Sequence, residues 1–219
     1  VLELISVHVP KCAGSSFLAA LQGAYGVEGV QLDYGDHLAD PAAPVNLDPA
    51  GFFERAHASG YPELAGRSAV HGHFHIDKYR FVTGRCRRVT ILRDPVDRVV
   101  SNYYFWQHLH RTGHTLQEYV LDRRLSLVEF ARLPIMRYFY ERVMFRGVER
   151  ERFDYVGSVE TLDRDLLALS ELLGRPLDMV HANAGPEPEA AAAQDGEVRA
   201  ELTELLRDDI AFYRRWCDL

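Results

Sequence analysis

The chain has 219 residues, 47% of them hydrophobic, which suits one globular domain with a sizeable core. Its formal net charge is −7, with 32 acidic against 25 basic side chains. That balance argues against nucleic acid as a partner and against a long polyanionic acceptor, since both call for a broad basic surface. Local basic clusters remain at Arg85-Arg87-Arg88 and around Arg137, Arg142 and Arg146. The aromatic content, with Tyr and Phe at 11 each, fits a packed enzyme better than a disordered chain.

No run reaches the roughly 18–20 apolar residues that a bilayer crossing needs, so no membrane span is expected. The first residues lack a basic region followed by a long apolar stretch, and no signal peptide is expected. Cys12, Cys86 and Cys217 are odd in number and widely spaced. They argue against a disulfide framework and make the cytoplasm the expected compartment.

Residues 2–25 predict a strand, a loop and a helix. An apolar run (Leu2, Leu4, Ile5, Val7, Val9) leads into Pro10-Lys11-Cys12-Ala13-Gly14-Ser15-Ser16, and Phe17, Leu21 and Tyr25 follow at helical spacing. A small-residue turn with one lysine between strand and helix is the layout of an anion-binding loop. Turn amides and the positive helix N-terminus converge on the anion, Ser15 and Ser16 cap the helix or donate hydroxyls, and Lys11 brings a mobile charge. A Walker A loop sets its lysine directly before the hydroxyl residue. Here Lys11 precedes Gly14 instead, so that loop is excluded. A cysteine phosphatase would need an arginine where Leu18 stands. For this stretch alone, an ordinary strand–turn–helix junction with a surface lysine stays open.

Residues 26–50, rich in Gly, Asp and Pro, read as a long loop, and residues 51–58 as a short helix. If residues 68–76 are extended, His71, His73 and His75 share one face and Val70, Gly72, Phe74 and Ile76 the other. A metal site through the H-x-H pattern, plain structural histidines and catalytic histidines all fit that pattern. No Asp, Glu or Cys set with ligand spacing completes a metal site. Val89–Leu92 reads as a strand ending at Arg93, with Asp94 as N-cap, Pro95 at the first helical position and Asp97 in the first turn. Val96, Val99, Val100 and Tyr103 then face a core. Arg93 at the strand end and Ser101 two turns into the helix can converge on one phosphate. Arg98 reads as an ion-pair partner of Asp94 or Asp97.

Residues 106–150, with Trp106, His108, His110 and His114, read as helical, either contacting an acceptor or forming a solvated face. Residues 153–157 predict a strand, and Leu162 to Leu173 an amphipathic helix closed by Gly174. Residues 181–195 read as a loop and 197–216 as a last helix. Strand–helix alternation of this kind predicts an α/β fold, a mainly parallel central sheet flanked by helices, in a single domain over residues 1–219.

Two motifs carry a family resemblance. His8-Val9-Pro10-Lys11-Cys12-Ala13-Gly14-Ser15-Ser16-Phe17 reads H-x-P-K-x-A-G-[ST]-[ST]-F, and residues 93–104 read R-D-P-x-x-R-x-x-S-x-Y-Y. Together they resemble the carbohydrate sulfotransferases that use 3′-phosphoadenosine 5′-phosphosulfate (PAPS). Val70-His71-Gly72-His73 and Tyr103-Tyr104-Phe105 bring the likeness nearest to the heparan and dermatan uronyl 2-O-sulfotransferases. The resemblance implies a P-loop-like sulfotransferase fold and transfer of a sulfuryl group to an acceptor hydroxyl on a carbohydrate or small metabolite. The transfer is an in-line displacement with a histidine base, it leaves adenosine 3′,5′-bisphosphate (PAP), and it needs no metal. It implies a phosphosulfate loop of Lys11, Cys12, Ala13, Gly14, Ser15, Ser16 and Phe17, and a 3′-phosphate site of Arg93 and Ser101. Lys11 and His73 become the catalytic pair, and His71, His75 and Tyr104 acceptor contacts. The family's late nucleotide-covering loop is basic, and residues 181–195 lack those cations. A kinase or NTPase would need a Walker lysine and a Mg²⁺ carboxylate that are not in place. A non-catalytic nucleotide-binding module is the remaining alternative.

Overall fold

The computed structural model describes residues 1–82, 84–111, 114–178 and 196–217. Its centre is a five-stranded sheet built from β1 (Leu4–His8), β2 (Val30–Asp33), β3 (Ala69–Gly72), β4 (Arg87–Leu92) and β5 (Tyr155–Ser158), in the order β2-β3-β1-β4-β5. Every pairing is parallel. β1 lies in the middle and is buried through Val7, as expected of a strand covered on both faces. Its alternate side chains feed two cores. Leu4 joins Phe17, Leu21, Val89 and Leu166. Ile5 and Val7 join Val70, Leu92, Phe145 and Trp216.

The helices are α1 (Gly14–Tyr25), α2 (Pro44–Leu47), α3 (Pro49–Ala58), α4 (Pro95–His108), α5 (Thr115–Asp122), α6 (Leu127–Arg132), α7 (Pro134–Arg137), α8 (Leu162–Leu173), α9 (Gly196–Leu205) and α10 (Arg207–Trp216). A π-helical turn spans Phe139–Met144. Parallel register brings the strand ends level: Val7 pairs with Gly72 and His8 with Ile91. The chain leaving β1, β3 and β4 therefore emerges at one rim of the sheet, the edge where open parallel sheets hold ligands.

The α/β reading stands, and three local readings are corrected. Residues 26–50 are more than a loop, because they supply edge strand β2, which pairs with β3 from Val30↔Ala69 to Asp33↔Gly72. The last predicted helix is two, meeting at Leu206, whose φ of −99° and ψ of 13° interrupt the helical path while its side chain stays fully buried. Arg98 pairs with neither Asp94 nor Asp97. Its guanidinium is fully buried, 4.1 Å from the Phe139 ring centre, with Nη2 donating to the Met136 carbonyl at 3.4 Å. Arg199 of α9 takes both acids instead, 2.6 Å from Asp97 and 3.8 Å from Asp94. The predicted loop at 181–195 lies outside the described residues. Among the described residues no helix is long and apolar enough to cross a membrane.

Gly72 makes the β2–β3 contact possible, since a Cβ there would sit 1.8 Å from the backbone oxygen of Asp33. The obstacle is main chain and cannot swing aside. Gly72→Ala is expected to destabilise the fold by about 3 kcal/mol, read as a lowered urea midpoint, with loss of β2 protection in hydrogen exchange. An unchanged midpoint would refute this account of the edge.

Candidate active site

The turn after β1 is shaped by two non-glycine residues in the left-handed region, Lys11 (φ 68°) and Ala13 (φ 55°). Cys12 N–H donates to the Val9 carbonyl at 3.1 Å, and the first bond of α1 runs from Phe17 N–H to the Ala13 carbonyl at 2.9 Å. Ala13 is the N-cap and offers no side-chain cap. Ser15 and Ser16 sit inside the first helical turn, so the predicted capping role is not theirs. Left-handed residues alternating with others make a concave nest of amides, and here it opens onto a helix N-terminus.

The turn lines a cleft of about 1190 Å³, together with residues of the second motif and the histidine segment. Lys11, Ala13, Gly14, Ser15 and Ser16 line it. Cys12 and Phe17 do not. The Cys12 thiol is buried 3.7 Å from the Tyr140 hydroxyl, and burial pushes its pKa up to about 12. The Phe17 ring is core, and its amide is spent inside the helix. Both, expected among the anion contacts, are buried beneath the turn. Lys11 Nζ lies 3.9 Å above the Phe105 ring centre. The charge is thereby held at the cleft by a cation–π contact.

Asp94 caps α4 as predicted, accepting from Val96 N–H at 2.9 Å and Asp97 N–H at 3.2 Å. Arg93 precedes it at the end of β4 and reaches back, its Nη1 donating to the Lys11 carbonyl at 3.4 Å. The Tyr140 hydroxyl bonds both backbone groups of Arg93, accepting from N–H at 3.1 Å and donating to C=O at 2.5 Å. Arg93, Ser101 and Tyr104 all line the cleft, as do Asn102 and Phe105. The two motifs, far apart in sequence, therefore share one site.

The histidines divide. β3 ends at Gly72, so strand alternation does not carry the three onto one face. His73 lines the cleft and meets Tyr34 edge-on at 4.7 Å. His71 is 1% exposed, shares a 2.8 Å hydrogen bond between its Nδ1 and Ser6 Oγ, and does not line the cleft. His75 turns away altogether. Its Nε2 lies 3.0 Å from the Arg146 carbonyl, its Nδ1 accepts from Asp77 N–H, and its ring stacks on Phe53. His71 and His75, expected as acceptor contacts, thus occupy buried positions outside the lining of the cleft.

Sequence reading passed over His8 and Tyr34. The His8 ring is 4.7 Å from His73 and stacked on His71 at 5.0 Å. It was visible as the first letter of the first motif, whereas Tyr34 follows a strand that the sequence did not announce. Burial lowers all three imidazole pKa values: His73 to about 4, His71 to about 3 with His73 adding to the effect, and His8 well below its usual value. After burial, His71, His73 and Lys11 push His8 the same way. All three rings are neutral near pH 7. No group of three or more His, Cys, Asp or Glu side chains among the described residues has the arrangement to hold a metal ion.

A family model for the sulfotransferase domain matches residues 53–144. The match is to a sulfotransferase domain. It spans β3, β4 and α4, and so the second motif and the histidines, but leaves out the turn at 9–16. Among solved structures, a sulfotransferase from Alicyclobacillus acidocaldarius is 18% identical over 98% of this chain and 99% of that one, with a TM-score of 0.40. A mouse sulfotransferase complexed with PAP is 14% identical over 94% of this chain and 66% of that one, with a TM-score of 0.38. No curated protein sequence matches.

The buried imidazoles bind protons less readily in the folded chain than in the unfolded one. As pH falls below about 6.5 the unfolded chain gains protons first, and stability is lost from there down to the folded values. Urea midpoints are expected to drop between about pH 7 and pH 5, and His73→Gln to reduce the slope by ~1.4 kcal/mol per pH unit. A slope that His73→Gln leaves unchanged would show that its imidazole is not held neutral.

Proposed function

We propose that the protein is a PAPS-dependent sulfotransferase that moves a sulfuryl group to an acceptor hydroxyl on a carbohydrate or small metabolite. The observation that carries this reading is the shared cleft. The amide nest with Lys11 opens into the same space as Arg93 and Ser101, and His73 lines it too. PAPS has two anionic ends, a 5′-phosphosulfate and a 3′-phosphate, and the cleft offers two matching donor groups. The space of about 1190 Å³ suits a nucleotide with an acceptor beside it. His73 Nε2 is buried without a hydrogen-bond partner, which suits a group that finds its partner in a ligand.

When bound, PAPS supplies an activated sulfuryl group on a phosphate leaving group. Lys11, the turn amides and the Ser15 and Ser16 hydroxyls offer positive charge and donors where charge builds on the bridging oxygen. Arg93 presents a planar fork, and Ser101 a hydroxyl, to the 3′-phosphate that separates this donor from ATP. His73, unprotonated at neutral pH, takes the proton of the attacking hydroxyl. Tyr104, Phe105 and Tyr34 wall the cleft where an acceptor can lie. In-line geometry makes positioning the main demand on these groups. The H-G-H and Tyr-Tyr-Phe stretches support a carbohydrate acceptor. We place the protein in the cytoplasm, which keeps thiols such as Cys12, Cys86 and Cys217 reduced.

Calorimetry with PAP, ATP and 5′-AMP tests the donor. Wild type is expected to prefer PAP, and Arg93→Ala to lose that preference. Equal affinity for ATP would end the sulfotransferase reading. With PAPS and a panel of hydroxyl acceptors, Lys11→Ala and His73→Ala are each expected to lower turnover by about 10²–10³-fold without a change in urea midpoint at pH 8. Wild-type rates in either variant would remove that residue from the mechanism.

A further inference from the structure

His8 lines the cleft but has no part in the chemistry assigned to Lys11, Arg93 and His73. It ends the central strand, with one neighbour in each half of the site. On one side its ring presses on the anion turn: a Cβ at Gly14 would fall 1.8 Å from His8 Nε2 and 1.9 Å from Cε1. On the other it meets His73 at 4.7 Å and Tyr34 edge-on at 6.2 Å. His71 stacks behind at 5.0 Å, with ring planes 13° apart, and its own Nδ1 is tied to Ser6. The ring therefore stands between the group that seats an anion and the group that takes a proton.

Its chemistry is unspent. Both Nδ1 and Nε2 of His8 are buried, and neither has a hydrogen-bond partner among the described residues. Leaving such atoms unpaired costs stability, and a phenyl ring would fill the same stack at no such cost. A buried imidazole with two idle nitrogens, lining the cleft at the mouth of an amide nest, is explained by a ligand that pairs with it. An oxyanion seated on the Gly14–Ser16 amides would bring acceptor atoms beside this ring, which already lies against Gly14.

We propose that His8 is a third catalytic residue, whose ring N–H donates to an oxygen of the sulfuryl group held on the Gly14–Ser16 turn. This rests on the sulfotransferase reading. His8 stays neutral throughout and neither gains nor loses a proton. The bond from sulfur to the bridging oxygen breaks, the bond from sulfur to the attacking oxygen forms, and the released proton goes to His73. Lys11 answers the charge on the leaving oxygen, and His8 holds the group in flight.

The experiment compares wild type, His8→Phe and His8→Gln in PAP affinity, thermal midpoint and the slow transfer of the sulfuryl group from PAPS to water, followed as sulfate release. His8→Phe keeps the stacked ring and removes the N–H. It is expected to hold PAP affinity within about threefold, to melt no lower than wild type, and to release sulfate about 10²-fold more slowly. His8→Gln, which restores a donor near the Nε2 position, is expected to recover at least about a tenth of the wild-type rate. The ring ¹⁵N signals of His8 should also shift when inorganic sulfate is added to the PAP complex. A wild-type rate in His8→Phe, an unmoved His8 signal, or joint loss of PAP affinity and thermal midpoint would each overturn the proposal, the last by making His8 a packing residue. Failure of wild type to prefer PAP over ATP would instead remove the sulfotransferase reading, and this inference with it.

Discussion

The parallel register of β1 against β3 and β4 is the constraint on which the site depends. Because Val7 lies level with Gly72 and His8 with Ile91, three chain exits fall at the same height. The first exit becomes an amide nest, the second delivers His73, and the third delivers Arg93 and the helix that carries Ser101. A register slip in any of the three would turn side chains to the opposite face and separate these groups. Gly72 protects this arrangement from one side by letting β2 close against β3, and the buried β1 anchors it from within.

A second tier of contacts ties the exits together. The Tyr140 hydroxyl clasps both backbone groups of Arg93 and lies near the Cys12 thiol, so one phenol steadies both motifs. Tyr140 is in turn held by Asp209 of α10, whose carboxylate accepts from the Tyr140 N–H at 3.1 Å. Burial raises the Asp209 pKa to about 6, while Arg98 and the backbone donors of the π-helical turn pull it back. Arg199 of α9 braces the start of α4 through Asp94 and Asp97. The C-terminal helices thus support the rim without lining the cleft.

How much of this the sequence discloses depends on range. The anion turn and the start of α4 were legible because their signals are local: strand, small residues and lysine in one case, Asp94-Pro95 capping in the other. β2 was not, since Val30–Asp33 is four residues long and exists through pairing with β3 rather than through its own pattern. The histidine alternation failed at a definite point. The strand stops at Gly72, and His75 is drawn off to cap the next turn and meet Arg146. Arg98 misled for a different reason. A cation beside two acids in sequence invites a local ion pair, whereas packing placed it beneath Phe139. His8 was legible as a letter of a motif but not as a neighbour of His73, because that closeness exists only once β1 and β3 are side by side.

The buried thiol in the anion turn has a consequence of another kind. Thiolate, not thiol, reacts with oxidants and alkylating agents, and Cys12 is 1% exposed with its ionisation pushed up to about 12. A cysteine flanked by Lys11 and a helix N-terminus would ordinarily be primed for attack. Here the side chain is folded inward, away from both. The turn thus presents its amides to an anion while shielding its one oxidisable atom, and peroxide or electrophiles that reach the cleft meet no sulfur at the anion seat.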